Sequence, residues 1–226
     1  MIRAAFVLLG VTSLAWCENS LTRQERKEGF QLLFDGKSLD RWHSIKLRPD
    51  AGPWRVKKGI LTYESGESWL ATDDTFTDFA LRLEYRTNAA SSDSGIFLRS
   101  GPAGNPGSSG MEVEIISDAG KPVSTRSTGS VWNLVAPSKS ANKPDGQWNQ
   151  VEITLVKRQL STVWNGEKIL DVSLDDPKYP ALATKSPFGH IGLQSRSSGT
   201  PVEYRNIRIK VIKIAPQFLP ELKREN

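Results

Sequence analysis

Glu112 and Glu114 stand two residues apart in the run MEVEIISD, and Glu84, Arg86 and Arg99 lie a short way upstream. Carboxylates at i and i+2 on a strand share a face, and their mutual repulsion can raise one pKa toward neutrality. Such a pair offers a general base and an acid, while a guanidinium holds oxygen that gains negative charge. An arginine between the two would instead keep both ionised, so the spacing leaves the roles of Glu84, Glu112 and Glu114 open.

The elements that would position these groups read as three strands within residues 79–118. In FALRLEYR, Phe79, Leu81, Leu83 and Tyr85 oppose Arg82, Glu84 and Arg86. In SGIFLR, Ile96 and Leu98 oppose Phe97 and Arg99; in MEVEII, Met111, Val113 and Ile115 oppose Glu112 and Glu114. If the three pair as antiparallel neighbours with apolar faces inward, Glu84, Arg86, Arg99, Glu112 and Glu114 collect on one polar face. The same alternation describes an ordinary half-buried sheet with Glu and Arg paired on its outside. Periodicity alone does not choose between them.

The chain of 226 residues is 38% hydrophobic and 24% charged, ordinary for a globular protein and long enough for a sizeable core. Its formal charge of +5 is spread without a long basic block, which argues against nucleic acid or a membrane surface as partner. Residues 1–16 read as a signal peptide, with Arg3, the apolar Ala4–Leu14 and the small-residue pattern Ser13-Leu14-Ala15, too short to span a bilayer. Cys17 after Leu14-Ala15-Trp16 resembles a lipoprotein signal, although Trp16 fits poorly before the cysteine; export without the lipid is the expectation. As the single cysteine, Cys17 excludes an intramolecular disulfide.

Residues 17–29 form a leader or one helical turn, 30–214 the domain, and 215–226 a tail. Short strands are expected at 30–34, 54–57 and 60–63 around a Lys58-Gly59 turn, and at 68–71 before a loop at Thr72-Asp73-Asp74. After a long loop at 118–146 they resume at 147–157, at 161–164 and 167–172 around Asn165-Gly166, at 190–196 and at 202–214. Many short strands without alternating helices predict an all-β, antiparallel jelly-roll sandwich.

In order along the chain, LLFDGKSLDRW, GPWRVKKGIL, FALRLEYR, SGIFLR, MEVEIISD, TGSVW, QWNQVEI, VWNGEKI, GHIGLQSR and VEYRNIRIK resemble the bacterial 3-keto-disaccharide hydrolase family. The resemblance implies a concanavalin-like jelly roll of two sheets with a sugar-binding concave face. It also implies cleavage of glycosides carrying a C3 ketone, by C2 proton abstraction and β-elimination of the C1 aglycone, with hydration of the resulting 2-hydroxy-glucal. On this basis Glu84, Arg99, Glu112 and Glu114 are the catalytic candidates, and Arg86, Asp93, Trp132 and Gln194 the substrate-binding ones. Three positions depart from the family pattern: Asp93 replaces an Asn, Glu114 replaces a Gln, and Ser195-Arg196-Ser197 replaces Asp-His-Gly.

Trp132 is the expected sugar-stacking aromatic, and Trp42, Trp54, Trp148 and Trp164 are expected as core or hairpin anchors. His43 and His190 are expected to be structural or exposed. No cofactor is called for. A structural Ca²⁺ at Asp118, Asp73-Asp74 or Asp175-Asp176 is the alternative to solvated turn acids. The partners implied are a carbohydrate substrate and a separate oxidoreductase that makes the keto-sugar, with the protein working outside the cytoplasm of a bacterium. A non-catalytic carbohydrate-binding module and a conventional retaining glycosidase are the competing functions.

Overall fold

The computed structural model describes residues 19–47, 52–196 and 200–213. The signal segment 1–16, Cys17 and the tail 215–226 lie outside the described residues. Among the described residues, thirteen strands and three short helices follow one another. The first half comprises α1 (Arg23–Glu28), β1 (Gln31–Leu32), β2 (Trp42–Lys46), β3 (Trp54–Lys57), β4 (Ile60–Tyr63), β5 (Ser68–Phe76), β6 (Phe79–Arg86) and β7 (Asp93–Ser100). The second comprises α2 (Pro106–Ser109), β8 (Met111–Ile116), β9 (Asn149–Val156), β10 (Gln159–Trp164), β11 (Glu167–Ser173), α3 (Pro180–Ala183), β12 (Gly189–Ser195) and β13 (Glu203–Val211). No helix among the described residues is long and apolar enough to cross a membrane.

The strands form two antiparallel sheets. The larger runs β11-β10-β9-β6-β13-β4-β3, with β1 also on β13; the smaller runs β2-β5-β12-β7-β8. Alternate side chains of both sheets fill one core, including Leu81, Leu83 and Tyr85 from β6 and Ile96, Val113, Ile115 and Leu193 from the smaller sheet. The aromatic payload is deep: Trp164 is fully buried and donates from Nε1 to Tyr85 Oη at 3.0 Å. Trp42 and Trp54 are buried as expected, whereas Trp148 lies under the guanidiniums of Arg86 and Arg205 outside the core.

Local chemistry explains most boundaries. Thr22 caps α1 by accepting from Glu25 N, while Glu25 accepts from Thr22 N, and Gly29 ends the helix at φ +88°. Thus part of the expected leader is a capped helical turn, and Asn19 ties it to the fold through bonds with Asn206 and Gly59. Asn165 and Gly166, both at positive φ, make the tight hairpin turn between β10 and β11.

Two expectations are corrected. Thr72-Asp73-Asp74 is not a loop but the continuation of β5, because β2 pairs with Thr72, Asp73 N donates to Arg41 O, and β12 pairs with Ala71 and Thr75 on either side of the stretch, which overrides the turn preference of Asp. The second correction matters more for function. β6, β7 and β8 do not form one sheet: β6 sits between β9 and β13 in the larger sheet, and only β7 and β8 pair. The connection after Arg86 passes from one sheet to the other, so Glu84 and Arg86 cannot share a face with Glu112 and Glu114.

Candidate active site

The outward face of the smaller sheet carries the candidate groups Glu112, Glu114, Asp93 and Gln194. Trp69, Ala71 and Phe97 form a small apolar cluster there, separate from the main core, with Ile45 against it. Trp69 packs edge-on to Phe97 at 5.8 Å between ring centroids, over Gly192, where a Cβ would meet the indole at 2.4 Å. Beside this floor β8 lays down Glu112 and Glu114 on the same face, opposite Phe97 and Gly95 of β7 in the register.

The row formed by Gln194, Gly95 and Glu114 decides where Glu112 goes. Gly95 has no side chain, so Glu112 leans across it and accepts from Gln194 Nε2 at 2.7 Å. One end of the arrangement is closed by Asp93, whose Oδ1 lies 3.4 Å from Arg196 Nε.

The wall beside β8 comes from the long loop. Trp132 N donates to Glu112 O, Glu114 N donates to Ser130 O and Gly129 N to Glu114 O, so the loop covers the otherwise free edge of β8. It also holds Trp132 outward, 45% exposed, over the site. Asp118 pins this loop by accepting from Thr128 N and Asn142 Nδ2.

Together these groups line a cavity of about 680 Å³, with Glu112, Glu114, Asp93, Gln194, Trp132 and Arg196 on its surface. That size lies within the range of small-ligand sites. Burial raises the Glu112 carboxyl to about 7; Asp93 adds to the rise, and Arg196 and Gln194 oppose it. Burial raises Glu114 further, to about 9, helped by the negative charge of Glu112 and Asp93. Asp93 is also raised by burial, against the pull of Arg196. Near neutral pH the floor therefore holds one glutamate that exchanges its proton readily and one that keeps it. This is the combination an acid–base reaction uses.

Of the residues singled out from the sequence, Glu112, Glu114, Asp93, Trp132 and Gln194 come together in this cavity. Glu84, Arg86 and Arg99 do not line it. Glu84 is buried on the outer side of the larger sheet and accepts from Arg205 Nε at 2.8 Å. Arg86, on the same sheet, is paired with Glu203 at 2.5 Å and stacked on Trp148. Arg99 is 1% exposed and donates to Thr77 O, Lys157 O and the Asp78 carboxylate, clasping the two sheets together.

Sequence reasoning passed over Arg126, Lys185 and Phe97, which also line the cavity. Phe97 was visible as the polar-side partner of Arg99; the two cations sit in irregular segments that carry no periodic signal. His190 is buried, with Nδ1 at 2.7 Å from Thr72 O, while the exposed His43 bonds Asp73 and meets the His190 ring at 5.7 Å. Asp74 pairs with Arg41 and Asp175 with Arg158, and no group of three or more His, Cys, Asp or Glu among the described residues is arranged to hold a metal ion.

Residues 29–210 match the family described as the 3-keto-alpha-glucoside-1,2-lyase-like domain. The chain is 21% identical over 232 residues to a 3-keto-disaccharide hydrolase of Bacteroides thetaiotaomicron, an alignment covering 82% of this chain and 79% of that protein. A crystal structure of a presumptive glycosyl hydrolase from Parabacteroides distasonis superposes with a TM-score of 0.75 at 23% identity, covering 87% of this chain and all of that one. A carbohydrate binding module, CBM66 from Bacillus subtilis, superposes with a TM-score of 0.51 at 11% identity, covering 74% of this chain and 94% of the module. Both structures share the jelly-roll fold.

Proposed function

The chain belongs to the 3-keto-alpha-glucoside-1,2-lyase-like family, and we propose that its cavity cleaves glycosides whose C3 hydroxyl has been oxidised to a ketone. The observation that carries this reading is the placement of Glu112 and Glu114, with their separated proton affinities, on one wall of a sugar-sized cavity.

The chemistry follows from the ketone. A C3 carbonyl acidifies the proton on C2, and Glu112, raised to about 7, removes it. The electron pair moves into the C2–C3 bond and the C3 oxygen becomes an enolate oxyanion. Arg196 supplies the nearby positive charge, since its field reaches both glutamates. As the carbonyl re-forms, a C1–C2 double bond is made and the C1–oxygen bond breaks. Glu114, protonated up to about 9, gives its proton to the departing aglycone oxygen. Water adds across the unsaturated product in a second step and yields the free keto-sugar. Trp132 offers its face to the bound glycoside, and Gln194 fixes Glu112.

This chemistry needs a keto-sugar made beforehand, so a separate sugar oxidoreductase supplies the substrate. The N-terminal segment favours work outside the cytoplasm. A conventional retaining glycosidase is the weaker reading: Glu112 and Glu114 begin a row of alternating acids on one strand, but Ile116 stands where the next acid would belong.

The test is mass spectrometry of the purified protein in deuterated water with a 3-keto-glucoside. Aglycone release with deuterium at C2 of the sugar is expected. Recovery of intact, unlabelled keto-glycoside would overturn the lyase reading, and cleavage of the unoxidised glucoside would assign conventional hydrolysis instead.

A further inference from the structure

Two of the cations lining the cavity meet no carboxylate among the described residues. Lys185 reaches in from the segment after α3, and among the described residues its Nζ donates to Gly107 O alone, at 2.7 Å. Arg126 reaches in from the long loop, where Nε bonds Asn133 Oδ1 at 3.4 Å. Asn133 N in turn donates to Thr125 O at 2.7 Å, which closes the loop on itself and holds Arg126 close to Trp132.

The acids around them do not neutralise these charges. Glu112 and Glu114 are both raised by burial, and Asp93 is engaged with Arg196. Glu67 belongs to the opposite rim, where its backbone carbonyl accepts from Leu47 N. Burial lowers the Lys185 ammonium from its ordinary range with no acid opposing the shift. A half-buried ammonium with one carbonyl for a partner among the described residues stands to gain from an anion.

The register places these cations relative to the acids. Along β7 and β8 the pairs run Asp93–Ile116, Gly95–Glu114 and Phe97–Glu112. α2, which holds Gly107, follows β7 at the far end from Asp93, and Lys185 reaches that end through its bond to Gly107 O. A keto-pyranose over Glu112 and Glu114, with Arg196 at one end, leaves the Lys185 end and the Trp132 wall for whatever is attached to C1.

We propose that the aglycone subsite, bounded by Trp132, Arg126 and Lys185, selects a ring bearing an oxyanion, either a carboxylate or a sulfate. The ring lies on Trp132 and its anion is held by Arg126 and Lys185. This rests on the keto-glycoside reading of the same cavity and adds the charge of the leaving group to it.

The experiment compares the 3-keto-glucosides of 4-hydroxybenzoate and 4-hydroxybenzamide, which differ only in a carboxylate, and a third bearing a sulfate ester on the ring. The ratio of kcat/KM between charged and neutral substrates is independent of how much enzyme is folded. A preference of about tenfold for the charged aglycone is expected, shrinking as salt is added. Lys185→Met and Arg126→Gln should each bring the ratio toward one, and Lys185→Glu should invert it. The sulfate arm tells which oxyanion is preferred. A wild-type ratio near one, or a ratio that neither variant moves, would overturn the inference while cleavage itself upholds the keto-glycoside reading. If no keto-glycoside is cleaved, calorimetry with the same glycosides reads the charge preference alone. Tighter binding of the anionic glycoside that is lost in Lys185→Met would keep the anion subsite without the lyase reading, and equal or absent binding would remove it.

Discussion

The Glu112 carboxylate occupies the space that a side chain at residue 95 would need: a Cβ on Gly95 would stand 2.4 Å from Glu112 Oε1 and 2.9 Å from its Cγ. Gly95 thus lets a glutamate from β8 cross β7 and reach Gln194 on β12. Positioning of the proposed base depends on a missing methyl group.

Gly95→Ala should therefore damage activity far more than folding. The displaced atoms belong to one long side chain that can swing into the cavity, so the melting temperature should move by only a few degrees. Losing the Gln194 bond and the set of Glu112 should reduce kcat by roughly 10- to 100-fold. Differential scanning calorimetry beside steady-state kinetics separates the two effects. Unchanged kcat in a well-folded variant would show that the crossing of Gly95 is not needed for turnover.

The pH–rate profile should be bell-shaped. Below about 7 Glu112 takes up its proton and stops acting as base, and above about 9 Glu114 loses the proton meant for the aglycone. Glu114→Gln should keep the acidic limb and lose the alkaline one, with the larger rate loss on poor leaving groups. Glu112→Gln should abolish C2 deuterium exchange. A profile flat between pH 5 and 10 would be incompatible with these roles.

The same two groups make the fold less stable as the pH rises. Both have an ordinary carboxyl value of 4.5 and are raised in the folded protein to about 7 and about 9. Between the ordinary and raised values the unfolded chain has released protons that the folded chain still holds, so alkali pulls toward unfolding. The contribution is fully present below about pH 4.5 and is lost as pH climbs through both raised values. The double variant Glu112→Gln/Glu114→Gln should melt higher than the wild type at pH 9, and the gap should narrow toward pH 5. Parallel melting curves with a constant offset at every pH would refute this assignment.

Strand positions and faces were legible because alternation fixes the side of a strand on which a residue lies. Glu112 and Glu114 were placed on one face by spacing alone, and Asn165-Gly166 announced its hairpin. Alternation does not say to which sheet a strand belongs. Glu84 and Arg86 read as neighbours of Glu112 only because β6 precedes β7 in the chain, and the crossing between sheets leaves no mark in the pattern. Arg99 fails for a different reason. Its φ of +53° and the register shift between His190 and Gly192 interrupt the alternation after Phe97, and its side chain bonds elements of the other sheet. A single backbone irregularity changed the side of the sheet on which a guanidinium acts. Arg126 and Lys185 lie in irregular chain, where only the fold brings them to the cavity.

Arg99 and Glu84 provide a test of this division between scaffold and site. The Arg99 guanidinium holds the carbonyls of Thr77 and Lys157 and the carboxylate of Asp78, with side-chain exposures of 1% for Arg99 and 12% for Asp78. Arg99→Met takes the guanidinium from all three acceptors, of which Asp78 keeps Lys157 N as a donor, a loss of about 1–3 kcal/mol. Glu84→Gln keeps the shape but removes the charge facing Arg205, and should cost less. Neither residue borders the cavity, so kcat per folded molecule should stay within about twofold of wild type in both variants, at a temperature where each remains folded. Urea unfolding with active-site titration measures the two quantities separately. A large fall in kcat at full folding for either variant would return that residue to the catalytic set.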